Sequence, residues 1–172
     1  MTDDVLFAVE SGVVEITLNR PEALNALTLE MIQILHERLS GWAVDDSVRA
    51  IVVRGAGDRA FCAGGDIRAL YDAKQVGGPL TRDFFRHEYQ LNHLIFHYPK
   101  TYIALVDGIA MGGGVGLSVH ASTCIASEVT MFAMPETGIG LFPDVAGSYF
   151  LSRCPGAIGM YLALTGALLR AA

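Results

Sequence analysis

Two glycine-rich loops and three carboxylates carry the chemistry that this sequence offers. The loops lie in "RAIVVRGAGDRAFCAGGDIRAL", residues 49–70, and "TYIALVDGIAMGGGVGLSVH", residues 101–120. Each reads as a strand, a tight glycine turn and a helix. The first N–H groups of a helix have no intrahelical acceptor, and glycine lets a ligand atom come close to them. Two such ends facing one point make an oxyanion hole, the donor pair that acyl transfer needs. Neither loop fits a phosphate motif: GxGxxG is out of frame, and GxxxxGK[ST] is absent from the sequence. The competing explanation is close packing of helix on sheet.

Glu136 and Asp144 stand eight apart in "MFAMPETGIGLFPDVAGS", each next to a proline in an otherwise apolar run. A carboxylate in apolar surroundings is costly unless paired or used, and its pKa rises, which suits acid–base work. The bland alternative is that both cap turns. Glu88 is the third candidate. Phe84, Leu91, Ile95 and Tyr98 form a stripe at helical spacing, and Glu88 falls inside it. A salt bridge to Arg82 or Arg86 at the stripe edge is the alternative there.

Other chemistry is weaker. His93 and His97 have metal-like spacing, but no HExxH pattern or third ligand accompanies them. Cys62 lies in the first glycine loop without a nearby base, and no GxSxG elbow exists, so a Ser- or Cys-nucleophile hydrolase is disfavoured.

The elements that must position these groups alternate. "LFAVESGVVEITL" reads as a hairpin, Leu6–Glu10 with Val13–Leu18. Thr28 caps a helix bearing Met31, Leu35, Leu39 and Trp42 on one face. "RAIVVRG" and "TYIALVDG" are apolar strands, and "CIAS" and "MFAMPE" two shorter ones. Gly77-Gly78-Pro79 separates a helix starting near Asp66 from a long one over about 82–97, for which Thr81 is the expected cap. Two short helices divided at Pro155-Gly156 come last, and "ALTGALLRAA" shows no closing element. Strands alternating with helices predict an α/β layer structure with parallel strands in one domain over residues 1–172.

Composition sets the outer limits. With 52% apolar and 17% charged residues, the chain is not disordered, and a net charge of −6 argues against nucleic-acid and anionic-membrane binding. Arg59, Arg68, Lys74, Arg82 and Arg86 cluster along the sequence, either as a solvated face or to hold an anionic ligand. Cys62, Cys124 and Cys154 read as reduced thiols. With no targeting segment visible, a cytoplasmic location is expected. Gly108–Ser127 is uncharged but glycine-rich, and reads as buried core rather than a membrane span.

"NRPEALNALT", "AFCAGGDIRALY", "MGGGVGL" and "FAMPETGIGLFPDVAGSYFL" together resemble the crotonase (enoyl-CoA hydratase/isomerase) superfamily over essentially the whole chain. The resemblance implies a spiral of ββα units and an acyl-CoA thioester substrate, with no cofactor beyond the coenzyme A that the substrate carries, and no metal. It implies that Gly65 and Gly113 N–H groups hold the thioester carbonyl oxygen and that coenzyme A runs along Gly65, Asp66, Ile67 and Arg68. It makes Glu136 a catalytic carboxylate, acting either as general base on water or as a nucleophile that forms a mixed anhydride. The hydratases of the superfamily carry a second glutamate two residues after GGG, where this chain has Gly116. The branch that hydrolyses 3-hydroxyacyl-CoA thioesters in valine degradation has glycine there, with Asp144 as a catalytic partner and Glu88 as a substrate-binding group. Hydrolysis is therefore the expected reaction. Enoyl-CoA hydration or isomerisation is the alternative, as is an inactive acyl-CoA-binding or oligomerisation fragment. Superfamily members continue past "ALTG" with further helices, so the C-terminal helical part is expected to be missing. A homo-oligomer stays open.

Overall fold

The computed structural model describes residues 3–171. The chain opens with strands β1 (Val5–Glu10) and β2 (Val13–Leu18), antiparallel in the expected hairpin. Ser11 and Gly12, both at positive φ (49° and 79°), make the tight link. That backbone twist matches the twist of the flanking strands.

Helix α1 (Leu29–Ala43) follows, its N-cap Thr28 Oγ1 accepting from Met31 N at 3.1 Å. Met31, Leu35 and Leu39 are buried, as their spacing requires. Strands β3 (Ala50–Gly55) and β4 (Ala60–Cys62) then lead into α2 (Ile67–Val76) and α3 (Leu80–Phe96). Next come β5 (Thr101–Val106), β6 (Ile109–Met111) and the short α4 (Gly113–Ser118). β7 (Thr123–Ala126) and β8 (Met131–Ala133) precede α5 (Gly147–Leu151), α6 (Ile158–Thr165) and β9 (Leu169–Arg170).

The strands sort into two sheets. The order β1-β2-β3-β5-β7 forms one and β4-β6-β8-β9 the other. β2, β3, β5 and β7 run parallel, as do β4, β6 and β8. Each turn of the chain thus gives one strand to each sheet and then a helical segment, which is a spiral of ββα units. The main core lies between the larger sheet and helices α1 and α3, around Val14, Ile16, Met31, Ile51, Leu91 and Tyr102. A smaller apolar cluster of Val115, Met134, Val145, Leu151 and Leu162 lies beside it. Helix α4 joins the two, with Leu117 in the first and Val115 in the second.

The structure corrects three details. Thr81 is not a cap: α3 starts at Leu80, two residues before the expected start, and Thr81 Oγ1 donates to the Leu70 carbonyl at 3.4 Å, tying α3 to α2. β6 is too short, at three residues, to stand out from the glycine stretch that follows it. β9 pairs antiparallel with β8, where the sequence shows no closing element. Among the described residues, no helix is long and apolar enough to cross a membrane.

Candidate active site

The first glycine loop is held by the "NRPEALNALT" segment. After β2 the chain makes a 3-10 turn, Pro21–Ala23, and then Leu24 and Asn25 both take left-handed conformations (φ 53° and 55°). Asn25 is fully buried. Its Nδ2 donates to the carbonyls of Ala56 (3.0 Å) and Ala60 (2.8 Å), and its Oδ1 accepts from Arg20 N (2.9 Å). One side chain therefore pins both ends of the β3–β4 connection. The next residues lace the loop itself: Leu27 N donates to Gly64 O at 2.8 Å and Asp66 N to Leu27 O at 2.9 Å. Gly65 sits between these bonds, and among the described residues its N–H has no backbone acceptor.

The second loop comes off β6. Gly112 has φ +49°, a conformation that favours glycine, and a Cβ there would stand 3.0 Å from Glu136 Oε1, so a side chain would also press on that carboxylate. Gly113 starts α4, which leaves its N–H without an intrahelical acceptor. The two loops touch: a Cβ built on Gly64 would lie 3.5 Å from Gly113 N. A Cβ on Gly113 itself would collide with the Glu88 carboxylate.

The three carboxylates converge on these loops. Glu136 stands in the first turn of the 3-10 segment Pro135–Ile139, and Asp144 follows in the loop before α5. Glu88 comes from the buried face of α3. All three are buried, and together with Gly65 and Gly113 they line one cavity of about 250 Å³. Phe84, Ile139 and Leu141 supply apolar wall. Asp144 does not cap α5, and Arg82 pairs with its neighbour Asp83 (3.0 Å) rather than with Glu88. Among the described residues, no cation is paired with any of the three.

Burial without counter-charge shows in their ionisation. Loss of solvent first, and then the charges of Asp144 and Glu136, push Glu88 up to about 8. Burial, reinforced by Asp144 and opposed by a backbone hydrogen bond, takes Glu136 up to about 7. Asp144 is also raised by burial, but the hydrogen bond from Tyr89 works the other way. Glu136 Oε2 is buried with no hydrogen-bond partner among the described residues. A carboxylate oxygen with no hydrogen-bond partner among the described residues, in the same cavity as Gly65 and Gly113, is suited to taking a proton from a molecule held by those glycine N–H groups.

Of the residues expected along the coenzyme A path, Gly65 and Ile67 line the cavity and Asp66 and Arg68 do not. The Asp66 carboxylate caps α2 through Ala69 N (3.2 Å) and pairs with Arg20 (3.2 Å), while Arg68 is exposed. His93 and His97 stack with ring centroids 4.3 Å apart, and no metal-holding cluster occurs among the described residues. Burial pushes the Cys62 thiol up to about 12, which leaves it inert as a nucleophile.

Sequence reasoning missed Tyr89, whose hydroxyl donates to Asp144 Oδ2 at 2.8 Å, and Asn92, whose buried amide lies against Gly116. A signal existed for Asn92: it is four residues after Glu88, inside the same apolar stripe.

Comparison with known proteins agrees with this geometry. Residues 13–172 match the family model described as Enoyl-CoA hydratase/isomerase. The chain is 60% identical over 151 residues to the mitochondrial 3-hydroxyisobutyryl-CoA hydrolase of Xenopus tropicalis, an alignment covering 88% of this chain and 39% of that protein. It is 51% identical over 164 residues to the human enzyme of that name, covering 95% and 42% respectively. The chain thus spans about 40% of the length of these relatives. Among solved structures, a carnitinyl-CoA dehydratase from Mycobacterium thermoresistibile superposes with a TM-score of 0.95 at 50% identity, covering 98% of this chain and 50% of that one. Two glycine loops, a cavity between them and these likenesses agree: the chain belongs to the enoyl-CoA hydratase/isomerase family.

Proposed function

We propose that the protein is an acyl-CoA thioester hydrolase acting on 3-hydroxyisobutyryl-CoA, giving 3-hydroxyisobutyrate and free coenzyme A. The observation that carries this reading is the unpartnered Glu136 Oε2 in the cavity shared with Gly65 and Gly113. The thioester carbonyl oxygen accepts from the two glycine N–H groups. Glu136 takes a proton from water as the water oxygen bonds to the carbonyl carbon, and the two N–H groups hold the resulting oxyanion. Collapse breaks the C–S bond, and the proton on Glu136 passes to the leaving thiolate. Asp144 orients the water or the 3-hydroxyl, and Glu88 holds the hydroxyl end of the acyl group. Coenzyme A enters as part of the substrate and runs along residues 65–68.

Gly116 supports hydrolysis over hydration, because a second carboxylate at that position has no room beside Asn92 and Val145. The test is thiol release from 3-hydroxyisobutyryl-CoA beside loss of enoyl absorbance from an enoyl-CoA. Thiol release that is abolished in Glu136→Gln is the expected result. Release unchanged in Glu136→Gln overturns the role of Glu136. Enoyl loss without thiol release points instead to a hydratase or isomerase. Neither signal, with no rise in melting temperature on adding coenzyme A, identifies an inactive chain.

A further inference from the structure

Asp144 precedes an unusual piece of backbone. Val145 and Ala146 are consecutive non-glycine residues at positive φ (42° and 64°). For a β-branched residue such as valine this region is sterically unfavourable, so the surroundings must impose it. Two contacts hold the main chain: Asp144 O accepts from Gly147 N at 2.6 Å, and His120 Nε2 donates to Val145 O at 2.9 Å. The Val145 side chain is buried in the smaller apolar cluster. The backbone at Asp144 is therefore fixed, but none of these contacts fixes its carboxylate.

We propose that Tyr89 is the positioning residue for Asp144: its phenol, 2.8 Å from Oδ2, sets the orientation of that carboxylate at the candidate cavity. Consecutive residues of α3 divide the work. Glu88 enters the cavity beside Gly113, while Tyr89 reaches Asp144 from a second, largely apolar cavity of about 290 Å³ lined also by Phe96, His120 and Tyr149. The Tyr89 ring rests on Phe85, one helical turn earlier, at a centroid distance of 6.0 Å. The other ionisable groups that act on Asp144 are Glu88 from α3 and Glu136 from the 3-10 segment, both acidic. No cation pairs with Asp144 among the described residues. The tyrosine hydroxyl is thus the larger of two neutral counterweights, the other being the residue's own backbone N–H: a donor to a carboxylate favours the ionised form.

Tyr89 is itself 40% exposed, so Tyr89→Phe leaves the core intact. The proposal rests on the hydrolase reading for its catalytic consequence but not for its structural one, and the test separates the two. The ¹³C titration of the Asp144 carboxyl, assigned with Asp144→Asn, is followed in the wild type and in Tyr89→Phe. The midpoint is expected to move to higher pH in Tyr89→Phe, and to stay near the wild-type value with 3-fluorotyrosine at position 89, which keeps the donor. An unmoved midpoint in Tyr89→Phe overturns the proposal, whatever the activity. In the thioesterase assay, Tyr89→Phe is expected to lower kcat about tenfold with KM nearly unchanged. A wild type without thiol release, combined with a shifted midpoint, rejects the hydrolase reading and keeps the Tyr89 assignment.

Discussion

A Cβ built on Gly116 would lie 2.7 Å from Asn92 Oδ1 and 2.9 Å from the Val145 Cβ. Asn92 and Val145 come from different elements, and both are buried. Any side chain at 116 must therefore displace packed groups from two directions. Gly116→Ala is expected to destabilise the fold by about 1–3 kcal/mol, the usual cost of overpacking. In an Asn92→Ala background the same change should cost less, because one of the two obstacles has gone. Urea denaturation of the four-member cycle measures the coupling. A cost that is the same in both backgrounds would rule out Asn92 as the obstacle.

Asn25 joins three backbone groups that no secondary structure satisfies. Asn25→Ala leaves the buried Ala60 carbonyl, the partly buried Ala56 carbonyl and one N–H without that partner, and it removes the kind of non-glycine residue that best tolerates φ 55°. A loss of about 2–4 kcal/mol follows from these effects together. Because Asn25 anchors the segment from which Leu24 and Leu27 hold Ala63, Gly64 and Asp66, amide hydrogen exchange at residues 63–66 should accelerate more than exchange in β2. Uniform acceleration across the chain would mean that Asn25 supports the fold generally and not this loop.

Glu88 makes stability depend on pH in an unusual direction. Its folded-state pKa, about 8, is above the value for an unfolded glutamate, so the folded chain binds the proton more tightly. That contribution is present in full below the unfolded pKa of about 4.3 and is lost as pH rises through the folded value. The wild-type melting temperature should therefore fall between about pH 5 and pH 9. Glu88→Gln, which keeps the shape without the charge, should flatten the decline and melt above the wild type at the alkaline end. Parallel pH profiles for the two proteins would refute burial of the charge as the cause.

Glu136 gives a second pH signature, this time in rate. A general base works only when deprotonated, and burial raises this one to about 7. Thioester hydrolysis should therefore rise with pH through about 7 instead of being level from pH 5 upward, read as kcat/KM against pH. A flat profile across that range would exclude Glu136 as the titrating base.

Much of this protein was legible in the sequence because it depends on local rules. The hairpin closed by Ser11-Gly12, the capped helix after Thr28 and the buried strands follow from turn chemistry, capping and apolar runs. Glu88 stood out for the same reason: a carboxylate inside an apolar stripe at helical spacing is either buried or paired at the stripe edge, and the structure buries it. The glycines at 112 and 113 announced a close approach, and the resemblance named Gly65, Glu88, Gly113, Glu136 and Asp144, which line the cavity, together with Asp66 and Arg68, which do not.

Tertiary structure decided what lies near what. The sequence put Glu136 and Asp144 on one segment, but only the two-sheet spiral brings α3 across so that Glu88 and Tyr89 meet them. Asn92 against Gly116 is a contact between residues 24 apart in sequence, and Tyr89 with Asp144 spans 55. Asn25 fills its role through carbonyls 31 and 35 residues away. No periodicity carries such information, because hydrogen-bond geometry between distant segments is set by how strands and helices stack. The sequence thus determined which residues are able to act, and packing determined that three carboxylates are buried in one cavity, with no cation paired to them among the described residues; burial first, and then the neighbouring carboxylates, raises Glu136 and Glu88.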